Sequence, residues 1–226
     1  MDLLRALLFY LRLDFVCLMK IILASSSKNR SELLTRMGIN FEIAAPDYEE
    51  VIIPDQSPTQ QVQDFALGKA QSVYTKYKHE ENVLILGFDS MIDLEGKSLG
   101  KAHTKKDAFE MIQSFIGKSQ KVTTGIALIG NWKGQYFEQV DFESSDVKFR
   151  DDITNCQIKK YLEFGDWTGK CGAYSILGTG IFLLESIQGD FQNIIGVPVI
   201  KLGNLIRQVT GKSPLWIFEK AGRQTV

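Results

Sequence analysis

The chain has 226 residues, of which 44% are hydrophobic and 23% charged, values that are ordinary for a globular protein. This length suffices for one large α/β domain or two small lobes around a sizeable core. A formal net charge of −1 at pH 7 does not favour nucleic acid or an anionic membrane as a partner, so any phosphate site must be a local cluster of Lys and Arg.

The cysteines and histidines argue against disulfide and zinc chemistry. Cys17, Cys156 and Cys171 are odd in number and have no C-x-x-C spacing, which predicts reduced cytosolic thiols. With only His79 and His103, a metal site built from imidazoles is not expected. A divalent metal would have to be a hard one held by carboxylates, such as magnesium or manganese.

Residues 1–18 are apolar but are interrupted by Arg5, Arg12 and Asp14. The stretch is too short and too charged for a membrane span, and no cleavage site of small residues follows it. A short amphipathic helix, or an upstream start before the functional Met19, would explain it equally well. We treat it as an N-terminal extension, followed by one domain over 19–211 and a polar C-terminal tail over 212–226.

The first elements of the domain are an apolar strand at 21–24, three serines and a helix. Ser27 is a candidate N-cap for this helix, and Gly38 closes it. Lys28 and Arg30 in its first turn oppose the helix dipole, which suggests that an anion binds there. The alternative is a solvated helix start whose basic residues aid solubility.

A second strand is predicted at 41–44, and an acidic loop follows at 46–55. The segment 57–60, with Ser as N-cap, Pro at the first helical position and Gln completing a capping box, predicts a helix that runs to about Tyr77. Lys69 borders the apolar stripe of this helix, so its side chain either extends to water or projects into a cleft.

Residues 83–88 are a continuous apolar run, as expected of a strand buried on both faces, and the run ends at Asp89. A carboxylate at the carboxyl end of a buried strand lies where open α/β sheets usually place their chemistry, although it can also cap a turn. A turn around Gly96 and a helix from Thr104 to Gly117 follow.

The second half of the chain opens with two β-rich segments, 122–129 and 136–149, joined as a hairpin. The remaining predicted elements are a helix, a strand and a closing helix, at 152–164, 181–187 and 199–210. Strands that alternate with helices, together with one antiparallel hairpin, predict an α/β domain with a mixed twisted β-sheet flanked by helices.

Common nucleotide and hydrolase motifs are absent. The three Gly-Lys-Ser triplets lack the upstream glycine of a P-loop, and there is no G-x-G-x-x-G after a strand, no G-x-S-x-G and no H-E-x-x-H. What remains is a set of isolated charges at element ends: Arg30, Glu50, Lys69, Asp89 and Lys101. Two carboxylates and three cations match the needs of metal-assisted phosphate chemistry, although element ends carry charges in every protein.

The segment ILASSSKNRSELL resembles the N-terminal signature LAS-x-S-P-R-R-x-ELL of the Maf family of nucleotide pyrophosphatases. The likeness continues, in the family's order, through FEIAAPDYEE, FALGKAQSV, ILGFDSMI, SLGKA, TTGIAL, KCGAYSILGTGIFLLESIQGD and NIIGVPV. It covers nearly everything from Met19 to about Leu205, so it is far more specific than any single motif.

This resemblance implies a cytoplasmic enzyme that hydrolyses a nucleoside triphosphate to the monophosphate and pyrophosphate. It also implies a divalent metal, magnesium or manganese, and an elongated two-lobed fold similar to that of inosine triphosphatases, with the site in a central cleft. A nucleic-acid or membrane partner is not expected, and a homodimer is left open.

When the functional positions of the family are transferred to the matching positions of this chain, the resemblance implies that Asp89 is catalytic and that Glu50 and Asp89 hold the metal. The substrate-binding positions that it implies are Ser25, Arg30, Lys69 and Lys101. In-line attack of water on the α-phosphorus is the mechanism that we expect from this set.

The positions implied to read the base are Asn29, Ser90 and Leu177, and all three depart from the family pattern. The subgroup that resembles dTTP and UTP pyrophosphatases has Arg, Thr and Gln there, and in the subgroup resembling 7-methyl-GTP pyrophosphatases the second and third are typically Gln and Glu. Ser90 keeps the threonine hydroxyl, whereas Leu177 cannot make the hydrogen bonds of Gln or Glu, which predicts altered or relaxed base recognition. The segments FEIAAP and SPTQQV are more similar to the second subgroup, so the preferred base stays open.

A nucleotide-binding regulator linked to cell division, with little catalysis, is the alternative function. It is motivated by the departures at Asn29, Ala102 and Leu177. A nucleic-acid-binding module is not favoured, because the chain has no basic stripe with interleaved aromatic residues.

Overall fold

The computed structural model describes residues 19–53 and 56–217, which form one mixed sheet of seven strands with helices packed on it. The predicted N-terminal extension, Asp55 of the acidic loop and the last residues of the tail lie outside the described residues. The strands are β1 (Lys20–Ala24), β2 (Glu42–Ile43), β3 (Val83–Leu94), β4 (Lys97–Leu99), β5 (Ser119–Trp132), β6 (Gln135–Phe149) and β7 (Leu184–Gln188).

Seven α-helices and one 3-10 helix connect these strands within the described residues. They are α1 (Lys28–Arg36), α2 (Pro58–Tyr74), α3 (Lys105–Phe115), α4 (Asn155–Glu163), the 3-10 helix (Thr179–Leu183), α5 (Phe191–Ile195), α6 (Val199–Thr210) and α7 (Pro214–Ile217). None of the helices in the described part of the chain has the length and apolar character needed to cross a membrane.

The sheet has the strand order β2-β1-β3-β5-β6-β7, with β4 paired to β3 beside β1. The pairs of β1 with β2 and with β3 are parallel, and all other pairs are antiparallel. The predicted α/β class with a mixed sheet flanked by helices is therefore confirmed.

Strand β3 changes its neighbour on one side part-way along its length. It pairs with β1 from Val83 to Gly87 and with β4 from Ile92 to Leu94, whereas β5 pairs with its other side from Val83 to Asp93. Over residues 88–91, β5 is therefore the one strand paired with β3 in the described sheet. We call this stretch the open edge of β3.

The prediction that the strand ends at Asp89 is wrong, since β3 continues to Leu94. The continuous apolar run stops at Phe88, but pairing with β5 and the hairpin to β4 keep the following residues extended. Asp89 lies instead just beyond the end of the parallel pairing with β1, within the open edge.

Buried side chains form separate clusters toward the two ends of β3 and β5. At one end Leu84 and Leu86 pack with α6 on one face of the sheet, and Ile85 packs with α2 on the other. At the other end Ile92 packs with α3 and α4. This division agrees with the predicted two-lobed fold, and the open edge of β3 lies between the two groups.

Several predicted boundaries were wrong. The helix predicted over 152–164 begins at Asn155, because Thr154 and Gln157 form a capping box there. The strand predicted over 181–187 starts as a 3-10 helix, and its extended part begins at Leu184. Helix α5 was not predicted at all.

The predicted cap of α2 is confirmed in part, whereas the predicted cap of α1 makes no side-chain hydrogen bond. The Ser57 hydroxyl accepts from the Gln60 N–H as predicted, but the Gln60 side chain donates to Asp64 instead of closing a capping box. Ser27 stands at the N-cap of α1 without a side-chain cap bond, and α2 ends at Tyr74, before Tyr77.

Glycines in the sheet allow α2 to lie directly on β3 and β5. A Cβ built on Gly125 would lie 2.1 Å from the Val62 carbonyl oxygen, and one on Gly87 would lie 2.2 Å from the Ala66 carbonyl oxygen. Backbone atoms cannot move away as a flexible side chain can, so any side chain at these positions would push α2 off the sheet.

We therefore expect Gly125→Ala to destabilise the protein by about 1–3 kcal/mol, which lowers the melting temperature by several degrees. Thermal unfolding followed by circular dichroism measures this effect. Gly203→Ala in α6 is the matched control, because its added methyl would meet only a Pro214 ring carbon at 3.4 Å. That control should be neutral or slightly stabilising; equal melting temperatures for Gly125→Ala and the wild type would contradict the packing argument.

Candidate active site

The first group of charges, which we call the Lys69 cluster, consists of Glu50, Lys69 and Asp89. The Lys69 Nζ lies 2.5 Å from Asp89 Oδ1 and 2.5 Å from Glu50 Oε1. Lys69 and Asp89 are only 8% and 7% exposed, whereas the Glu50 side chain, from the acidic loop, is 48% exposed. The lysine side chain of α2 is therefore directed at two carboxylates and does not extend to water, which was one of the two predicted alternatives.

The environment of Asp89 raises the pKa of its carboxyl group. Burial is the main cause, and the neighbouring charges of Lys69 and Arg30 oppose it. The small apolar cluster of Val62, Phe65 and Met91 lies on the same side of the sheet. Asp89 is consequently a carboxylate that binds a proton more readily than an exposed aspartate does.

The second group, which we call the Arg30 cluster, joins the first turn of α1 to the open edge of β3. Arg30 donates from Nη1 to Ser25 Oγ at 3.3 Å, from Nη2 to Ser90 Oγ at 3.1 Å and from Nε to the Gly196 carbonyl at 3.1 Å. Ser25 Oγ also accepts from the Ser27 N–H at 3.2 Å. Each terminal nitrogen of Arg30 has a second N–H group, and no side-chain hydrogen bond among the described residues engages it.

Burial lowers the pKa of the Arg30 guanidinium, and the charges of Asp89 and Glu50 oppose this shift. Because successive strand residues point to opposite faces of a sheet, Asp89 faces α2 while Ser90 faces Arg30. The electrostatic attraction between Arg30 and Asp89 nevertheless acts across the open edge. The two clusters therefore lie on opposite faces of β3 and are close to each other.

A pocket adjoins the Arg30 cluster on the Ser90 face of the sheet. All three positions that the family resemblance implies for base reading line it: Asn29, Ser90 and Leu177. Its other walls include apolar side chains such as Ile92 and Val122, together with the polar Tyr174 and Ser175. A pocket with apolar walls and several polar groups beside a cationic cluster has the composition of a ligand site.

Lys101 is the one predicted site residue that belongs to neither cluster and does not line the pocket. Its backbone pairs with that of Cys171, and its side chain is exposed, without a hydrogen bond or ion pair to the described residues. Burial raises the pKa of the Cys171 thiol to about 12, and the charges of Lys101 and Arg30 oppose this shift. Lys101 therefore flanks the site from the β4 side.

Three further residues belong to the site but carry no separate signal in the sequence. Ser90 Oγ lies 2.9 Å from Thr124 Oγ1, and Thr124 donates in turn to the Asn193 carbonyl at 3.0 Å. Lys170 donates to Asn29 Oδ1 at 2.6 Å. Cross-strand register could have suggested Thr124, which pairs with Ser90, but only after the pairing of β3 with β5 was known.

The residues present fit a hard divalent cation. The carboxylates of Glu50 and Asp89 converge on a single point, the Lys69 ammonium, so their oxygens are close to each other. No group of three or more potential ligands occurs among the described His, Cys, Asp and Glu residues. One or two carboxylates, completed by substrate phosphates, is the usual way in which proteins bind magnesium.

Comparison with known proteins identifies the family. The model of the Maf-like protein family matches residues 20–209. A dTTP/UTP pyrophosphatase of Clostridium botulinum (strain Okra / Type B1) is 37% identical over 190 residues, which are 84% of this chain and 96% of that protein. A dTTP/UTP pyrophosphatase of Thermoanaerobacter sp. (strain X514) is 35% identical, with the same coverage.

Solved structures show weaker similarity. The nucleoside-triphosphatase / dITP/XTP pyrophosphatase of Mycobacterium abscessus aligns with a TM-score of 0.37 and 17% identity, over 59% of this chain and 75% of that one. A TM-score this low supports no argument about shared activity. The match of the family model and the identity to curated relatives are sufficient by themselves: the chain belongs to the family of Maf-like proteins.

Proposed function

We propose that this protein is a nucleoside triphosphate pyrophosphatase, which hydrolyses its substrate between the α- and β-phosphates to release the monophosphate and pyrophosphate. The observation that carries the proposal is the buried Asp89 at the open edge of β3, paired with Lys69, which also pairs with Glu50, and with Arg30 on the other face. The names of the relatives, dTTP/UTP pyrophosphatase, support the same reaction class.

Asp89 acts as the general base in this mechanism. A base works best when its pKa is near the working pH, and burial shifts the pKa of Asp89 upward from that of an exposed aspartate. Asp89 orients a water for in-line attack on the α-phosphorus and accepts its proton. Pyrophosphate leaves on the opposite side of the phosphorus.

The cations stabilise the charge on the phosphates. Two of the three N–H groups of the Lys69 ammonium point at carboxylates, which leaves a donor for a phosphate oxygen. Arg30 offers its remaining N–H groups from the other face, together with Ser25, and the exposed Lys101 completes the set. Donors that are already in position before the reaction are the main source of electrostatic catalysis.

Glu50 and Asp89 hold a divalent metal, magnesium or manganese, in this proposal. Such an ion supplies neutralisation of phosphate charge when it is bound. The nucleobase occupies the pocket lined by Asn29, Ser90 and Leu177, next to the Arg30 cluster. The described cysteines are free thiols, which suits the reducing cytoplasm that we propose as the location.

We expect Asp89→Asn to lower kcat by about 10²–10⁴-fold, because the amide cannot accept the proton of the attacking water. Release of pyrophosphate, measured with a coupled enzyme assay at saturating triphosphate, tests this. Asp146→Asn, which changes an exposed aspartate of β6, is the control and should keep full activity. Turnover that survives in Asp89→Asn would refute the assigned base.

A panel of ordinary and modified triphosphates separates the enzyme from the alternative, a nucleotide-binding regulator. We expect at least one triphosphate to yield pyrophosphate and monophosphate in equal amounts, with activity lost on chelation of divalent metal. Liquid chromatography of the products measures both. Binding across the panel without any pyrophosphate would favour the regulator.

The raised pKa of Asp89 also predicts how stability depends on pH. Below the ordinary value of 3.8, the folded and unfolded states both carry the proton. Because the folded-state pKa is raised, folding favours the protonated carboxyl group. As the pH rises through the folded-state pKa, the free energy of unfolding of the wild type therefore decreases, whereas that of Asp89→Asn has no such contribution. The melting temperature of Asp89→Asn, relative to that of the wild type, should therefore rise as the pH is raised from about 3.5 to about 7. A difference that does not vary with pH would contradict this.

A further inference from the structure

Lys170 occupies an unusual place for a lysine. It lies in the loop after α4, where its Nζ donates to Asn29 Oδ1 at 2.6 Å, across 141 residues of sequence. Asn29 belongs to the first turn of α1 and lines the pocket. The contact thus connects a loop of the second half of the chain with the helix that carries Arg30.

No carboxylate of the described residues forms an ion pair with the Lys170 ammonium. Burial lowers the pKa of Lys170, while Glu32 and Asp166 oppose this shift only through space. The Asp166 carboxylate is engaged elsewhere, since Thr179 donates to it from its backbone and from its hydroxyl, each at 2.8 Å. A lysine that merely aids solubility would extend to water instead of donating to an amide.

The chemistry of the pair determines which way the Asn29 amide faces. An ammonium has three donors and no acceptor, and the single acceptor of an asparagine side chain is Oδ1. Oδ1 must therefore face Lys170, whichever way the amide would otherwise rotate. The Nδ2 group then points away from Lys170, and no hydrogen bond engages it among the residues described.

The other polar side chains of the pocket are engaged to different degrees. The Ser90 hydroxyl accepts from Arg30 and is bonded to Thr124, whereas the Tyr174 hydroxyl only accepts, from Gln120 at 2.8 Å. The Ser175 hydroxyl makes no side-chain hydrogen bond to the described residues, and Leu177 offers none. Asn29 is the one amide side chain in the lining, and its Nδ2 group is a donor that remains for a ligand.

We propose that Lys170 is a positioning residue which fixes the Asn29 amide with its N–H groups toward the pocket, so that the site selects nucleobases presenting a carbonyl oxygen over those presenting an amino group. This inference rests on the proposed function, because it takes the pocket as the base site. A carbonyl accepts from Nδ2, whereas an amino group would place two donors against each other and leave both unpaired.

Two pairs of substrates of nearly equal shape test the selection. UTP and CTP differ in a carbonyl against an amino group at the same ring position, as do ITP and ATP. In the wild type we expect kcat/KM for the carbonyl member to exceed that for the amino member by about tenfold or more in at least one pair. Equal values in both pairs, or a preference for the amino member, would overturn the proposal.

Variants of Lys170 test its positioning role. Lys170→Met frees the amide to rotate, so the preference should fall to within about twofold, mainly through KM. Lys170→Arg keeps a donor and should keep most of the preference. Lys106→Met, at an 82% exposed side chain on α3, is the control and should leave the ratio unchanged. A Lys170→Met protein with the full wild-type preference would overturn the proposal.

Asn29→Asp provides an independent test if Lys170→Met does not fold. The carboxylate still pairs with Lys170 but offers an acceptor to the pocket, so the preference should reverse toward CTP or ATP. An Asn29→Asp protein that still favours the carbonyl base would refute the proposal.

Binding in the Asp89→Asn background separates this inference from the proposed function. Calorimetric Kd values for the same four triphosphates need no catalysis, so they report base selection even where no pyrophosphate is released. Tighter binding of the carbonyl members supports the inference whatever the activity of the enzyme. Equal Kd values within both pairs would overturn it.

Discussion

The site depends on one constraint: β3 has paired strands on both sides except over residues 88–91. Where β1 ends and β4 has not begun, the sheet leaves an opening at the centre of an otherwise buried strand. Side chains there can meet groups from both faces, because strand residues alternate in direction. Asp89 and Ser90, adjacent in sequence, thereby serve two different clusters that a ligand can contact together.

The buried charges at this opening are not a main source of stability. Taking Lys69 and Asp89 out of water is costly, and buried ion pairs often contribute little net stability. The Asp89 carboxylate therefore has a raised pKa despite its lysine partner. Close packing of α2 on Gly87 and Gly125 holds Lys69 in place against this cost. Glu50 from the acidic loop, whose side chain is half-exposed, completes the Lys69 cluster.

Hydrogen bonding connects the Arg30 face to more distant parts of the chain. Arg30 donates to Ser90, Ser90 to Thr124, and Thr124 to the carbonyl of Asn193 within α5. Each donor in such a chain polarises the next, which strengthens the whole set. Arg30 also donates to Gly196, whose positive φ of 107° turns the chain toward α6. Arg30 and the pocket are thus built on one continuous network.

The sequence alone determined the local elements and the family. Caps at Ser57 and Thr104, the apolar run before Asp89 and the hairpin between β5 and β6 depend on neighbouring residues, so their patterns could be interpreted directly. The charged positions could be named from the family resemblance, but the contacts between these side chains could not be predicted from the sequence. Only the tertiary structure extended β3 past Asp89, placed Lys69 between two carboxylates and joined Lys170 to Asn29. These outcomes depend on strand pairing and helix docking between residues far apart in sequence, and no local pattern carries that information.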